Sequence, residues 1–544
     1  MKQPHIIIFN PDQMRADALA HLGNSASSTP FLDIFSQQEA VSFRHAYCQN
    51  PVCVPSRCSF FTGRYPHVNG HRTMQHLLHE RDSTLFSELK DAGYHIWMNE
   101  RNDFLAGQVE GLMEKHADEV FCGGAHVNPP GPIDANHRGQ PDGKNYYSHY
   151  EGQLGVDENG RNYNADDAAV DAALHRLCNP VDDKPMCVFL GLMFPHPPYG
   201  VEEPYFSMID REKIPRRAGI GKGKALMQEK LREYMAMEDY TEEDWTELRA
   251  CYLGMCRKVD DQFKRLCDGL KNAGIYDDCA IFFFSDHGDY TGDYSIPEKT
   301  QNTFEDCLTR VPLLIKPPKG VALDAGITDS FAELVDFYAT AMDFAHVEPR
   351  EDHFGKSLRL ILADRMISLR DYVFCEGGRL PHEEQCDEYH AAAGNTGIIS
   401  KASMYWPRQM AQTDSVAHAK GTMIRSRDYK YVHRSSGQHE FYNLRLDPLE
   451  EENCYGMPEY EQEIINLRLA MLTWYQDTCD AVPREYDRRL SPEIFWERTR
   501  RKCPPGAEEQ IKALIYDGAG PALVGARLEE LWRLAGEREK EDVQ

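Results

Sequence analysis

Cys53-Val54-Pro55-Ser56-Arg57 opens the stretch of this chain best suited to nucleophilic chemistry on an anion. Pro55 suits a first helical position and Ser56 to Phe61 can continue the helix, which sets the Cys53 thiol just ahead of it. Free backbone N–H groups and the positive end of the helix dipole gather at such a place and make a ready anion site. Arg57 adds a fixed cation with a planar fork of donors. The stretch runs on as Cys58-Ser59-Phe60-Phe61-Thr62-Gly63-Arg64. On its own the pentapeptide also fits a structural cysteine beside a surface arginine.

A thiol and a cation do chemistry only if a rigid frame holds them. Strand-like apolar runs recur at His5–Asn10, Tyr94–Met98, Pro185–Phe194, Cys279–Ser285 and Val311–Lys316, with helical stretches such as Ser83–Ala92 and Glu247–Gly274 between them. This alternation predicts an α/β fold, a large mainly parallel sheet with helices on both faces. The continuous run Ala280-Ile281-Phe282-Phe283-Phe284 fits a strand buried on both sides. Asp12, Arg101, His196 and the pair Asp286-His287 each follow the carboxyl end of one of four such runs, where open α/β sheets bind ligands.

Past Leu358 the character changes. Asp371–Glu376, Gly421–Val432 and Phe441-Tyr442-Asn443-Leu444 suggest short strands of a small antiparallel sheet. From about Pro483 the chain is charged and helical in tone, broken at Pro504-Pro505-Gly506, with an amphipathic stretch at Leu528–Leu534. The expected organisation is a catalytic domain over 1–365, a smaller C-terminal subdomain over 366–480 and a helical tail over 481–544, the tail serving packing or homo-oligomerisation.

Cys-x-Pro-Ser-Arg with the following Thr62-Gly63-Arg64 resembles the signature of type I sulfatases, within the alkaline-phosphatase-like superfamily. The resemblance spans His5 to about Asn453. It implies that Cys53 is oxidised by a formylglycine-generating maturation enzyme and that the hydrated aldehyde is the nucleophile on a sulfate ester. Asn10-Pro11-Asp12-Gln13 looks like the first metal motif of the family, in the Asp-Gln form of choline sulfatases and phosphonate monoester hydrolases; Ser285-Asp286-His287-Gly288 looks like the second. Asp12, Gln13, Asp286, His287 and the modified Cys53 are thereby implied to bind one divalent cation. Oxygen ligands with one imidazole suit Ca²⁺ first, then Mg²⁺ or Mn²⁺. Phe194-Pro195-His196-Pro197-Pro198 resembles the Pro-His-x-Pro segment, and flanking prolines hold a general acid rigidly. Lys299 stands at the place of the second-motif lysine that neutralises a sulfate oxygen, and Arg57 and Arg101 would stabilise charge on the transferred group.

The chain departs from the family at Asn99-Glu100-Arg101-Asn102-Asp103, where many sulfatases carry Gly-Lys-x-His-x-Gly. Arg101 would replace the lysine, and Asp103 would orient Arg101 or a metal-bound group, or receive substrate hydroxyls. His71 and His76, in a loop that also holds Arg72 and His79, are candidates for the pocket mouth and fit an exposed polar loop equally well.

Composition narrows the substrate. The 544 residues carry a net charge of −27, which argues against nucleic acid and anionic membranes and favours a small substrate over a polyanion. No window approaches the ~18 apolar residues of a membrane span. Sixteen scattered cysteines without a CxxC pair read as reduced and buried, and the start Met1-Lys2-Gln3-Pro4 carries no signal-peptide pattern, so the expected location is the cytoplasm. These points favour a sulfated saccharide, including a glycosaminoglycan fragment. The alternatives are a phosphonate monoester or phosphodiester hydrolase of the same superfamily, and a non-catalytic binding protein with a decayed site.

Overall fold

Seven residues of strand β1 (His5–Pro11) show why the core has two halves. Successive side chains of a strand point to opposite faces. Ile7 and Phe9 join the cluster under the long helix Glu242–Asn272, whose Phe263 meets Phe9 edge-on at 5.1 Å between ring centroids. Ile6 and Ile8 join the opposite cluster, which includes Phe60 and Phe61 of the helix Cys53–Thr62. A strand apolar on both faces is thus buried on both. The structure, a computed structural model, describes residues 3–136, 138–140, 143–383, 400–482 and 489–541.

The other strands are β2 (Val41–Tyr47), β3 (His95–Asn99), β4 (Glu119–Phe121), β5 (Tyr150–Gln153), β6 (Met186–Leu192), β7 (Tyr199–Val201), β8 (Cys279–Phe284), β9 (Arg310–Val311), β10 (Leu313–Lys316), β11 (Gly326–Glu333), β12 (Val373–Gly377), β13 (Gly421–Arg425), β14 (Tyr429–Arg434) and β15 (Glu440–Asn443). The main sheet has nine strands in the order β11-β2-β10-β8-β1-β6-β3-β4, with β9 paired to β2, and it is mostly parallel. The run Val311–Lys316 is split at Pro312, which has no N–H for the ladder. Strand β10 runs antiparallel to β8 and β2. The four-residue helix Asp306–Thr309 and the two-residue β9 lie between the loop after β8 and β10, so no long helical crossover intervenes to bring the chain back parallel. Gly421–Val432 is likewise two strands, β13 and β14, of the antiparallel sheet β12-β13-β14-β15.

Strands β1, β3, β6 and β8 all point one way, with Pro11 opposite Leu192, Met98 opposite Phe189 and Phe9 opposite Phe283. Their carboxyl ends therefore form one edge. Both sheets belong to one unit, Met1–Ala481. A second unit, Val482–Gln544, holds the helices Pro492–Thr499, Glu508–Tyr516 and Pro521–Glu541 around Ile511, Ile515 and Val524. Among the described residues no helix is long and apolar enough to cross a membrane.

Candidate active site

The helix that carries the thiol starts at Cys53 itself, with Val52 extended as its cap, two residues earlier than the proline suggests. Gly63, left-handed at φ 67°, ends it. The Ser56 hydroxyl donates to the Asp286 carbonyl oxygen at 2.6 Å, tying the helix start to the end of β8. That places Cys53 Sγ 3.2 Å from His287 Nε2 and 3.6 Å from Asp12 Oδ1. Burial first, then the neighbouring Asp12 carboxylate, push the thiol well above its ordinary pKa, so as a plain cysteine it is protonated and a poor nucleophile.

Asp12, Cys53, Asp286 and His287 form a buried group whose donor atoms all lie within 4.8 Å of one another. The His287 Nδ1–H donates to the Gly288 carbonyl at 2.8 Å, since that oxygen only accepts; Nε2 keeps its lone pair towards the carboxylates. Burial, with Lys299 adding to it, keeps the ring neutral, although the Asp286 carboxylate opposes this. Two carboxylates and one bare imidazole nitrogen fit a hard divalent cation, and the sulfur site fits an oxygen ligand once the thiol is replaced. Gln13 comes to the same place paired with Lys299: its backbone, left-handed at φ 67°, donates to Asp286 Oδ1 at 3.1 Å, while its Oε1 accepts from Lys299 Nζ. A non-glycine residue there is strained, as often at functional sites.

Arg57 is placed differently from the expectation of a cation facing the transferred group. It is fully buried, its Nε donating to Asp286 Oδ2 at 3.0 Å and its Nη2 to Asp12 Oδ2 at 2.9 Å. Its Nη1 donates to the carbonyls of Arg101 and Asn102 at 3.1 and 3.3 Å. Arg57 is thus the strut that spaces the two carboxylates and holds the end of β3. Room for it comes from Gly191 in β6, where an added Cβ would stand 2.4 Å from the Arg101 carbonyl oxygen and 3.2 Å from Arg57 Nη1. Burial raises Asp12, but the guanidinium groups of Arg101 and Arg57 outweigh it and hold the carboxyl well below the usual range.

Arg101, directly after β3, donates from Nη2 to Asp12 Oδ2 at 2.6 Å; its buried Nε has no hydrogen-bond partner. Asp103, left-handed at φ 52°, lies 3.8 Å from that Nε and 3.6 Å from Arg57 Nη1, which fits orientation of Arg101. Nε is then a donor left for a substrate oxygen. Arg101→Ala is expected to lower kcat/KM about ten- to a hundredfold, the worth of a charge-assisted bond, with Arg101→Lys recovering part. Steady-state kinetics on the best sulfate ester checks this; an unchanged Arg101→Ala would remove β3 from the site.

His196 lies at the same edge, nine-tenths buried, its Nδ1–H donating to the Pro197 carbonyl at 2.6 Å. Burial and then Lys299 hold its pKa well below the ordinary value. A carboxylate that the sequence reading passed over builds its loop: Asp166, in the first turn of the helix Ala165–Cys178, accepts from the Met193 and Phe194 N–H groups at 2.8 and 2.9 Å. Its only linear signal was a pair of acids at a helix start, which capping alone would explain.

His71 and His76 are not brought to this group. His71 Nδ1 meets the His76 carbonyl oxygen at 2.9 Å and its Nε2 lies 3.6 Å from Asp82, while His76 bonds Thr73 at 2.6 Å and is exposed. These contacts stay within the loop, while His71 Nε2 is buried without a hydrogen-bond partner.

Comparison with known proteins bears on this arrangement. The arylsulfatase of Clostridium perfringens (strain 13 / Type A) is 23% identical over 501 residues, covering 86% of this chain and 94% of that protein. The N-acetylglucosamine-6-O-sulfatase of Bacteroides thetaiotaomicron is 25% identical over 561 positions, covering 90% of each. Among solved structures, the phosphonate monoester hydrolase of Agrobacterium radiobacter superposes with a TM-score of 0.68 at 20% identity, over 89% of this chain and 100% of that one, and shares its fold. A family model described as Sulfatase matches residues 4–347, the whole stretch from β1 to the helix Val335–Ala345 that supplies every residue of the site above. The chain belongs to the sulfatase family.

Proposed function

We propose that this sulfatase removes sulfate from a small sulfated saccharide, with Cys53 working as formylglycine after a maturation enzyme has oxidised it. The observation that carries the reading is the meeting of Cys53 with Asp12, Asp286 and His287 at the edge where Arg101, His196 and Lys299 also arrive. The saccharide is supported by the N-acetylglucosamine-6-O-sulfatase relative and by the charge of −27, which disfavours long polyanions. We place the enzyme in the cytoplasm, which suits fifteen described cysteines that form no disulfide with one another.

Asp12, Gln13, Asp286 and His287 would hold one divalent cation, Ca²⁺ in this proposal, which supplies charge to hold sulfate oxygens and to acidify an attacking hydroxyl. As its hydrate, the formylglycine would supply two hydroxyls, a nucleophile for sulfur and a second whose deprotonation lets sulfate leave and the aldehyde return. Arg57 keeps Asp12 and Asp286 apart and charged. Arg101 Nε and Lys299 Nζ donate to the sulfate oxygens. His196 presents a bare Nε2 in its neutral form, so it takes up a proton when the anionic substrate arrives and passes it from Nε2 to the departing sugar oxygen.

The leaving-group dependence tests that last role. His196→Gln should lower kcat about 10²- to 10⁴-fold on an alkyl or sugar sulfate, whose alkoxide needs a proton. On 4-nitrophenyl sulfate, whose phenolate leaves unaided, the loss should be far smaller. Equal losses on both would take the general-acid role from His196.

A phosphonate monoester or phosphodiester substrate is the second reading, favoured by Gln13 in place of a second aspartate in the first metal motif. Ranking kcat/KM for sulfate monoesters, phosphodiesters and phosphonate monoesters on one preparation decides between them; a preference for either phosphorus ester overturns the proposal.

A further inference from the structure

Beyond Lys299 the polypeptide builds a second polar group that none of the proposed chemistry uses. Glu298 is buried and pairs through Oε1 with Arg408 Nη1 at 3.0 Å, while its Oε2 has no hydrogen-bond partner. Arg408 also reaches the Lys299 carbonyl oxygen at 3.5 Å, which ties this group to the residue that bonds Gln13. His149 is buried with φ 60°, its Nε2 3.7 Å from Glu298 Oε1 and its Nδ1 unpartnered. Tyr405, half-buried at the cap of the helix Trp406–Thr413, closes the group, its ring 5.6 Å from that of His149 and 4.9 Å from the Arg408 guanidinium. Its hydroxyl is pushed to higher pKa by burial first, then by the Glu298 carboxylate.

We infer that Tyr405, Arg408, His149 and Glu298 form the subsite for the sugar ring of the substrate, with Tyr405 as a specificity-determining residue; this rests on the saccharide reading above. A polar atom buried without a partner costs free energy, and two such atoms, an acceptor on Glu298 and a ring nitrogen on His149, lie beside one flat ring. A polyhydroxylated ring meets both needs: its hydroxyls bond the polar atoms and its C–H face covers the tyrosine. An aryl group would cover the ring and leave the polar atoms unmet, so the subsite discriminates between the two. Tyr405 and Arg408 lie beyond the residues 4–347 matched by the family model, so this part of the site is contributed by the C-terminal half of the unit.

The test uses the full-length, formylglycine-bearing, metal-loaded enzyme and its Tyr405→Ala, Tyr405→Phe and Glu298→Gln variants. The probes are N-acetylglucosamine 6-sulfate and its sulfated mono- and disaccharide relatives, 4-nitrophenyl sulfate, and inorganic sulfate as a competitive inhibitor. In Tyr405→Ala the KM for the best sulfated sugar should rise about tenfold or more, kcat falling less, and this loss should exceed that on 4-nitrophenyl sulfate by about tenfold. The inhibition constant of sulfate should move less than about twofold, because the anion end is intact. Tyr405→Phe should keep most of the sugar affinity and Glu298→Gln should lose it. If wild type turns over sulfated sugars and Tyr405→Ala loses nothing, or loses equally on sugar and aryl esters, the subsite is wrong while the saccharide reading stands. If wild type turns over only the aryl sulfate, the saccharide reading fails and takes the subsite with it.

Discussion

Cys53→Ala is expected to abolish sulfate release, lowering kcat by about 10⁴-fold or more, since the nucleophile is made from this side chain and nothing nearby replaces it. The neighbours at Cys53 Sγ are ligand-type groups, Asp12 Oδ1 at 3.6 Å and His287 Nε2 at 3.2 Å, which the proposal commits to holding the cation. The fold should survive. Losing one sulfur atom at a helix start costs about 1 kcal/mol, so the melting temperature should stay within a few degrees. Sulfate release measured alongside thermal unfolding checks both parts. Activity within tenfold of wild type would end the assignment of Cys53.

Arg57→Ala is expected to destabilise the protein by about 3–5 kcal/mol and to inactivate it, a larger stability effect than at any other site residue. The reason is the geometry: the guanidinium is fully buried between Asp12 and Asp286, and it carries two backbone carbonyls of the β3 end besides. Its removal leaves two desolvated carboxylates facing each other and opens a cavity. Arg57→Lys should recover little, because one ammonium cannot serve Nε, Nη1 and Nη2 positions at once. Denaturant unfolding with and without a divalent cation separates the two effects, since a cation restores charge balance but not the strut. A loss below about 1 kcal/mol would show that the carboxylates are held by something else.

The parallel core was legible because its strands β1, β6 and β8 are continuous apolar runs that need no partner to be recognised. Strand β2 (Val41–Tyr47) was not: Arg44 and His45 interrupt it where its burial weakens. Strand β11 hides in the same way, since its register shifts between Thr328 and Phe331 and leaves Asp329 exposed. At the site, Asp12, Cys53, Asp286, His287, His196 and Lys299 were readable from motifs of adjacent residues. Arg57 was read with its charge right and its direction wrong, since sequence does not say whether an arginine beside a nucleophile faces substrate or carboxylate. Asp166 serves a backbone 27 positions away, and Tyr405 and Arg408 reach the site across more than a hundred residues from Lys299. No local pattern marks such contacts. His71 and His76 bond within their own loop, and a loop that does so has the same composition as one that binds a ligand.

The most direct test is to quantify sulfate released from the best sulfated saccharide against the fraction of residue 53 converted to the aldehyde, measured by peptide mass spectrometry on the same metal-loaded batches. Preparations made with and without a co-expressed maturation enzyme span the range. The account predicts turnover proportional to the converted fraction, passing through zero where all of the protein carries the thiol. Turnover that is the same at every fraction, or that persists with Cys53 unconverted, would contradict it.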